Sequence, residues 1–491
     1  MTLDPRTAVL VGVGQFVQKP ADPADAVEPL QMMVEAIERA ADDAGSRALL
    51  GKVNSIRVVK GAWSYRDPGT LIAQRIGASP SQSVVTPDGG NTPQTLVNDA
   101  ALAIERGELD VVVLVGAEGI YTRRRARRAG ARIPDTNDDV APPAPMLGKD
   151  MPMSSEIEMA RGFEAPINIY PMFETAIRHA NGETPEAHLR RISELWERFN
   201  RVAVDNPYAW IRRPMTAEQI RTTSPDNRMI GYPYTKAMNS NWDLDQAAAV
   251  ILCSVATAQS LGISRDRFVF PHAGTDAHDT YLVSERDTYH ASPAIRAAAA
   301  RCFEFAGRSV ADVDHVDVYS CFPSAVQISA KEIGLSLDRQ LTVTGGLPFA
   351  GGPLNNYVMH SIATMAGVLR ADPGSLGLIT ANGGYVTKHA IGLYSTEPPS
   401  GGFRHADVQA EVDRFPTRTF APDHTGAATV EAYTVMHDAE GPAQALVSCL
   451  TADGRRTFTN TRDRAAMDAL VAADLVGSPV EVDRDAVVHL G

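Results

Sequence analysis

Residues 84–119 read VVTPDGGNTPQTLVNDAALAIERGELDVVVLVGAEG. A β-branched run ends in the Gly89–Gly90 pair, a helix opens at Asn91, and an apolar strand follows and closes at Gly119. Such an elbow aims whatever it carries off a helix N-terminus, yet its tip holds no Cys, Ser or Lys, only Gly89, Gly90 and Asn91. Residues 351–384, GGPLNNYVMHSIATMAGVLRADPGSLGLITANGG, repeat the plan: a Gly pair, a Pro at a helix start, a helix, a turn, an apolar strand and a terminal Gly. Each copy sits late in its own alternating block. A repeated unit of this size implies two similar halves with their helix N-termini facing one site.

Working outward, residues 8–120 alternate strand and helix. AVLVGVG precedes a helix near 25–44 whose Leu30, Met33, Val34 and Ile37 share a face, and VNSIRVVKG precedes a short helix near 68–76. This predicts a mostly parallel sheet flanked by helices. Residues 121–240 are rich in Pro, Arg, Met and Tyr; beyond a helix at 184–204 they read as an excursion, a lid or binding loop, and the RRRARR run at 123–128 as a solvated loop or a contact for phosphates. Alternation resumes at DQAAAVILC and runs to Thr396, EPPSGGFRHAD reads as a linker, and a small β-rich module with a helix near 464–475 ends the chain. The expected organisation is therefore 1–120 with 241–265 as the N-terminal half, 121–240 as a loop domain, 266–398 as the C-terminal half, and 399–491 as an added module.

Acidic residues outnumber basic ones, 59 to 46, which disfavours a broad nucleic-acid footprint but permits a small anionic ligand. Cys253, Cys302, Cys321 and Cys449 form no metal or redox motif and suit a reducing cytosol. The N-terminus lacks a signal-peptide layout, and no apolar run is long enough to span a bilayer. A cytoplasmic protein is expected. GVGQFV lacks the third glycine of a dinucleotide fingerprint, HAGTDAHD (272–279) reads as a polar loop rather than a metal site, and NDD at 137–139 lacks the rest of a calcium loop.

At this point the sequence resembles the thiolase superfamily, close to the sterol-carrier-protein thiolases and to thiolase-like type 1 proteins with an additional C-terminal domain. The ordered blocks AVLVGVGQ, GGNTPQTLVNDAA, NPYAWIRRPMTAEQI, DVYSCFPSAVQISAKEIGL, TGGLPFAGGPLNNY and ITANGGYVTKHAIGLYS carry the resemblance over about residues 8–396. It implies an α/β thiolase fold, two similar halves in five αβαβα layers, with an OB-like β-rich module appended. It also implies coenzyme A or an acyl-CoA thioester as ligand, no tightly bound cofactor or metal, and a monomer or homodimer.

Residue by residue, the family's nucleophilic cysteine falls on Gly90, its Gly-His-Pro histidine on Gly352 and its Cys-x-Gly cysteine on Ala381; Tyr319-Ser320-Cys321-Phe322 takes the place of the Asn-Glu-Ala-Phe motif. Covalent thiolysis needs a thiolate, a base and a second acid/base, so the resemblance implies little or no acetyl-CoA acetyltransferase activity. The expected binding set is Gly90, Asn91, Cys321, Phe322, Gly352, Asn382 and Gly383, with room left where side chains are missing, helix starts at Asn91 and Pro353 whose free N–H groups and dipole end favour negative oxygen, and backbone donors near Gly90 and Gly383 for a thioester oxygen. The glycines equally suit plain turns and helix caps. Tyr319 is read either as the acid/base of a retro-aldol lyase or as a packing residue beside Phe322, and the terminal module as a possible partner-recruiting element for a regulatory or assembly role.

Overall fold

The computed structural model describes residues 3–133, 135–138 and 142–490; Asp139 of the NDD run lies outside them. Two five-stranded sheets form the body. The first runs Ala8–Val17, Asp245–Ser254, Val111–Gly119, Ser55–Val58, Gln82–Val85, antiparallel at the first two junctions and parallel at the last two. The second runs Arg404–Asp407, Phe270–His278, Lys388–Ser395, Leu376–Gly383, His315–Asp317. Its last four strands repeat the senses of the first four of the other sheet: antiparallel, antiparallel, parallel. The two halves are thus one topology used twice. The second half continues past residue 398, because Arg404–Asp407 adds to Phe270–His278.

The interior strands explain the apolar runs. All positions of Val111–Gly119, Asp245–Ser254 and Leu376–Gly383 are buried, as expected of strands covered on both faces. The repeated helices, Thr92–Glu105 and Tyr357–Ala371, pack on each other and against strands of both sheets, forming the middle layer. Pro29–Asp43 covers the far face of the first sheet, and Pro293–Ala306 that of the second. This is the five-layer α/β arrangement.

The excursion is more helical than its composition suggests, with helices Ile120–Ala129, Glu156–Ala160, Pro166–Ala180, Pro185–Asp205 and Ala217–Arg221. The basic run lies in the first of these and not in a loop. Arg123 pairs with Asp135, Arg124 with Asp243, and Arg125 donates to the carbonyls of Pro20 and Ala21. All of HAGTDAHD but Asp279 is likewise strand; its Asp276 accepts hydrogen bonds from Asn98 and Thr95 and meets the His405 imidazole. No metal-ligating cluster occurs among the described residues, and no described helix is long and apolar enough to cross a membrane.

The C-terminal module is an antiparallel meander, Gly426–His437, Pro442–Thr451 and Arg456–Thr461, followed by helix Arg464–Ala472 and the hairpin Pro479–Val482/Val488–Leu490. Pro479–Val482 returns to pair with the first strand, and a parallel bridge between Asn460 and Val487 joins the third strand to the last. Met229–Gly231 from the excursion adds to the same sheet. Fully buried Arg178 donates to Tyr433 Oη at 3.0 Å and pairs with Asp474. Fully buried Arg456 pairs with Glu431 and donates to the carbonyls of Ser284, Arg286 and Asp287. Two charges buried this way need both sides of the junction, so the module is built into the body.

Candidate functional site

The two elbows meet. A cavity of about 520 Å³ is lined by Gly89 and Gly90 from the first half, by Tyr319, Cys321, Phe322, Gly352, Asn382 and Gly383 from the second, and by Tyr170, Ser240 and Trp242 from the excursion. Seven of the eight residues singled out in the two halves by sequence, Tyr319 included, therefore share one wall system; Asn91 faces an adjoining cavity of about 400 Å³. Ala381 is buried in its strand and does not reach the cavity. Among the described residues no histidine lines it, and Cys321 is its one cysteine.

The bare elbows are not empty. An ideal Cβ on Gly90 would lie 2.4 Å from Tyr319 Oη, 2.9 Å from Tyr319 Cζ and 2.5 Å from the Asn382 carbonyl oxygen. The space expected there is filled by a phenol and a main-chain oxygen. At Gly352 a Cβ would meet Ser240 Oγ at 2.3 Å and Leu347 Cδ2 at 3.2 Å, so that room too is taken. Gly383 closes the floor: its Cβ would lie 2.6 Å from Asn91 Oδ1 and 3.0 Å from Gly89 Cα, so a side chain there would force its neighbours to shift.

The elbows differ in how they enter their helices. Thr92 begins the first helix with Pro93 in its first turn, and Asn91 is the cap residue; no acceptor among the described residues takes the Gly90 or Asn91 amide. The second helix starts at Tyr357, four residues later than the Pro353 predicted by sequence. Pro353, at φ −72° and ψ 67°, forms an inverse γ-turn in which Leu354 N–H donates to the Gly352 carbonyl at 2.7 Å, and Leu354 itself takes φ 43°. A left-handed leucine in the cavity wall is the kind of local strain that gathers at functional sites. Asn355 and Asn356 then bind the first half: Asn355 accepts from Gly89 N–H at 3.0 Å, and Asn356 donates to the Gly116 carbonyl at 2.7 Å.

Tyr319 meets Tyr357 edge-to-face, with centroids 5.5 Å apart and planes at 86°, and lines the same cavity as Phe322. Its hydroxyl has no hydrogen-bond partner among the described residues. Burial and the neighbouring Cys321 raise its pKa, so it stays protonated. Burial also pushes the Cys321 thiol up to about 12, against an opposing hydrogen bond with Tyr170. Phe322 stacks on Tyr170, centroids 4.4 Å apart. Tyr170 was not foreseen: it lies in PINIYPMFETAIRHA, a helix with an internal Pro171, and only its place in an apolar periodic run hinted at burial. Its hydroxyl donates to the Gly384 carbonyl at 2.8 Å and accepts from Asn382 Nδ2 at 3.0 Å and Val386 N–H at 3.1 Å. Ser240 and Trp242, the latter 58% exposed at the mouth, were also missed, since nothing local in SNW marks them.

Residues 407–486 match the family model of the thiolase-like protein type 1 additional C-terminal domain. Over 100% of both chains, the structure superposes with a TM-score of 0.86 and 29% identity on a monomeric SCP2-thiolase like protein type 1 from Mycobacterium smegmatis. The chain is a thiolase-like protein with the type 1 additional C-terminal domain. This thiolase-like chain is also 24% identical, over 265 residues, to an acetyl-CoA acetyltransferase of Methanocaldococcus jannaschii, covering 54% of its own length and 60% of that relative's. The Ltp2-ChsH2(DUF35) aldolase shares the fold at 18% identity and a TM-score of 0.59, over 80% of this chain and 99% of that one.

Proposed function

We propose that the cavity between the elbows binds coenzyme A or an acyl-CoA thioester and forms no acyl-enzyme. The observation that carries this reading is the contact at Gly90: Tyr319 Oη and the Asn382 carbonyl stand 2.4 and 2.5 Å from where a nucleophile's Cβ would be. A cysteine there is sterically excluded, and Cys321, held as a thiol, does not replace it at neutral pH. The unpaired amide of Gly90, in the cavity lining just before the first helix, supplies a donor for a thioester oxygen. The same reading assigns the protein to acyl-CoA or lipid metabolism in the cytoplasm, with no tightly bound cofactor. Titration calorimetry with coenzyme A and a small acyl-CoA panel tests it: saturable binding is expected, together with thiolysis of a 3-ketoacyl thioester far below thiolase rates. Efficient thiolysis overturns it.

One observation favours a second reading, a retro-aldol lyase acting on a CoA thioester. The Tyr319 hydroxyl faces the cavity unpartnered and protonated, placed to hand a proton to the carbanion left when a Cα–Cβ bond breaks. That reaction also needs a base for the β-hydroxyl. The carboxylate in the lining, Asp88, is already engaged by Lys60 at 2.8 Å and by Asn355 at 3.1 Å. Binding without turnover therefore fits better. Loss of β-hydroxyacyl-thioester cleavage in Tyr319→Phe, with the fold intact, would establish the lyase; no cleavage by the wild type removes it.

We read the C-terminal module as OB-like, since its meander, intervening helix, return to the first strand and parallel third-to-last bridge follow that plan. Its buried arginine contacts support a structural role over partner recruitment.

A further inference from the structure

The adjoining cavity of about 400 Å³, on the far side of the Gly89–Gly90 elbow, has polar walls of its own. Lys388 and His278 are direct partners on neighbouring strands, so both side chains leave the sheet on one face within reach of each other. The Tyr281 ring lies just beyond, its centroid 4.4 Å from that of His278. All three are half-buried and line the cavity. Neither Tyr281 Oη nor His278 Nε2 has a hydrogen-bond partner among the described residues, and neither atom is fully enclosed, so both keep open surface. Lys388 Nζ gives one proton to the Asp88 carbonyl and forms no ion pair among the described residues. Burial lowers its pKa, as happens to a charge that its surroundings compensate poorly.

The carboxylates in these walls are mostly spoken for. Asp88 is held by Lys60 at 2.8 Å, Asp99 by Arg57 at 2.6 Å, and Asp276 by Asn98 and the His405 imidazole, each at 2.8 Å. Asp407, at the exposed rim, accepts from Gln409 N–H at 2.9 Å. The cations are not: Lys388 in the wall and Lys149 at the exposed rim have no carboxylate partner among the described residues. We propose that this cavity is a second binding site, which takes the phosphate group of a small phosphorylated molecule. The two lysines supply charge for a dianion, and the Tyr281 hydroxyl donates. His278 suits either form of the ligand: with Nδ1 on the Asp279 carbonyl at 2.9 Å, its Nε2 accepts from a P–OH when the ring is neutral and donates to a P–O⁻ when it is charged. A carboxylate offers too few oxygens for these groups, whereas a phosphate offers one to each of several. Lys388 also lies against the elbow, its Nζ 3.2 Å from where a Cβ on Gly89 would be. The site does not depend on thioester binding in the first cavity.

The test is titration calorimetry of inorganic phosphate into the full chain, at an ionic strength held constant with sodium chloride because salt screens exposed charges. Saturable binding is expected, weakened about tenfold or more in Lys388→Gln and in His278→Ala, the loss that a charge-assisted hydrogen bond supports. No heat beyond that of chloride, or undiminished affinity in both variants, overturns the proposal. Competition with coenzyme A then identifies the source of the phosphate. Displacement means that the phosphates of coenzyme A itself reach the cavity, and no displacement means a separate phosphorylated molecule; both support the site. Should Lys388→Gln not fold, His278→Ala and the rim variant Lys149→Gln carry the same test, and no loss of affinity in either overturns it.

Discussion

The elbow at Gly90 and the elbow at Gly352 occupy equivalent places in the two halves and are bare in both, but they are closed by different means. At Gly90 the obstruction is rigid: a main-chain oxygen and an aromatic ring fixed against Tyr357. At Gly352 it is mainly the Ser240 hydroxyl, one rotatable torsion that can turn aside. The first position has thus been rebuilt around its glycine, whereas the second is blocked by a movable group. A glycine in place of a reacting residue is therefore not in itself a vacancy, and its meaning depends on what stands over it.

The comparison is broken most completely by removing what both elbows lean on. Helix Pro166–Ala180 carries Tyr170 into the site and is bonded into the module through Thr175 to the Tyr433 carbonyl and Arg178 to Tyr433 Oη. Deleting residues 413–491 strands Arg178 and exposes Phe163, which stacks on Phe458 at 4.0 Å. Insoluble or unfolded protein is expected; a soluble fragment with a sharp thermal transition would show the module to be separable.

A smaller effect separates the elbows directly. Gly90→Ala is expected to cost about 1–3 kcal/mol or more by overpacking, and Tyr319→Phe in the same chain should not recover it, because Cζ and the Asn382 carbonyl remain. Gly352→Ala is expected to cost about 1 kcal/mol, and Ser240→Ala should restore most of it. Thermal denaturation of the two double-mutant cycles reads the contrast, and equal rescue at both sites would erase the distinction.

Next in size is thiol chemistry. With its pKa up near 12, Cys321 has a thiolate fraction at pH 8 on the order of a thousandfold below that of a free cysteine, and alkylation should be slower by about that factor, accelerating as pH rises toward 12. Mass mapping after timed iodoacetamide treatment measures it; rapid labelling at neutral pH would mean an activated nucleophile. The smallest effect concerns assembly. The outer strand Gln82–Val85 of the first sheet is capped at Val85, whose N–H donates to the Pro145 carbonyl at 3.0 Å while its carbonyl accepts from Leu147 N–H at 2.8 Å. The bridge at Val85 takes up one end of that edge, and light scattering is expected to show a monomer at micromolar concentration; a dimer would mean that residues 82–84 still pair with another chain.

Much of the fold was legible because it is local and repeated: the Gly–helix–strand unit, the buried apolar runs and the module's strands all declare themselves in short windows. The helix at 120–129 was not, since six polar or small residues in a row carry no apolar stripe and its pairing partners, Asp135 and Asp243, are distant in sequence. Nor was the late helix start at Tyr357, because Pro is as much at home in a γ-turn as at a first helical turn. The convergence of Gly90, Gly352 and Asn382 could be anticipated from the repeat, and that of Tyr319 and Cys321 only from the family resemblance. What fills the elbows could not, as Tyr319 and Ser240 reach them across 229 and 112 positions of chain.

The central claim, that the cavity takes a thioester and makes no covalent bond to it, is tested most directly by mass spectrometry of the protein mixed with acetoacetyl-CoA, recorded under native and then denaturing conditions. The account predicts a complex in the native spectrum and an unmodified chain mass after denaturation. An acetyl addition that survives denaturation, or no complex at any concentration up to saturation of a thiolase control, would contradict it.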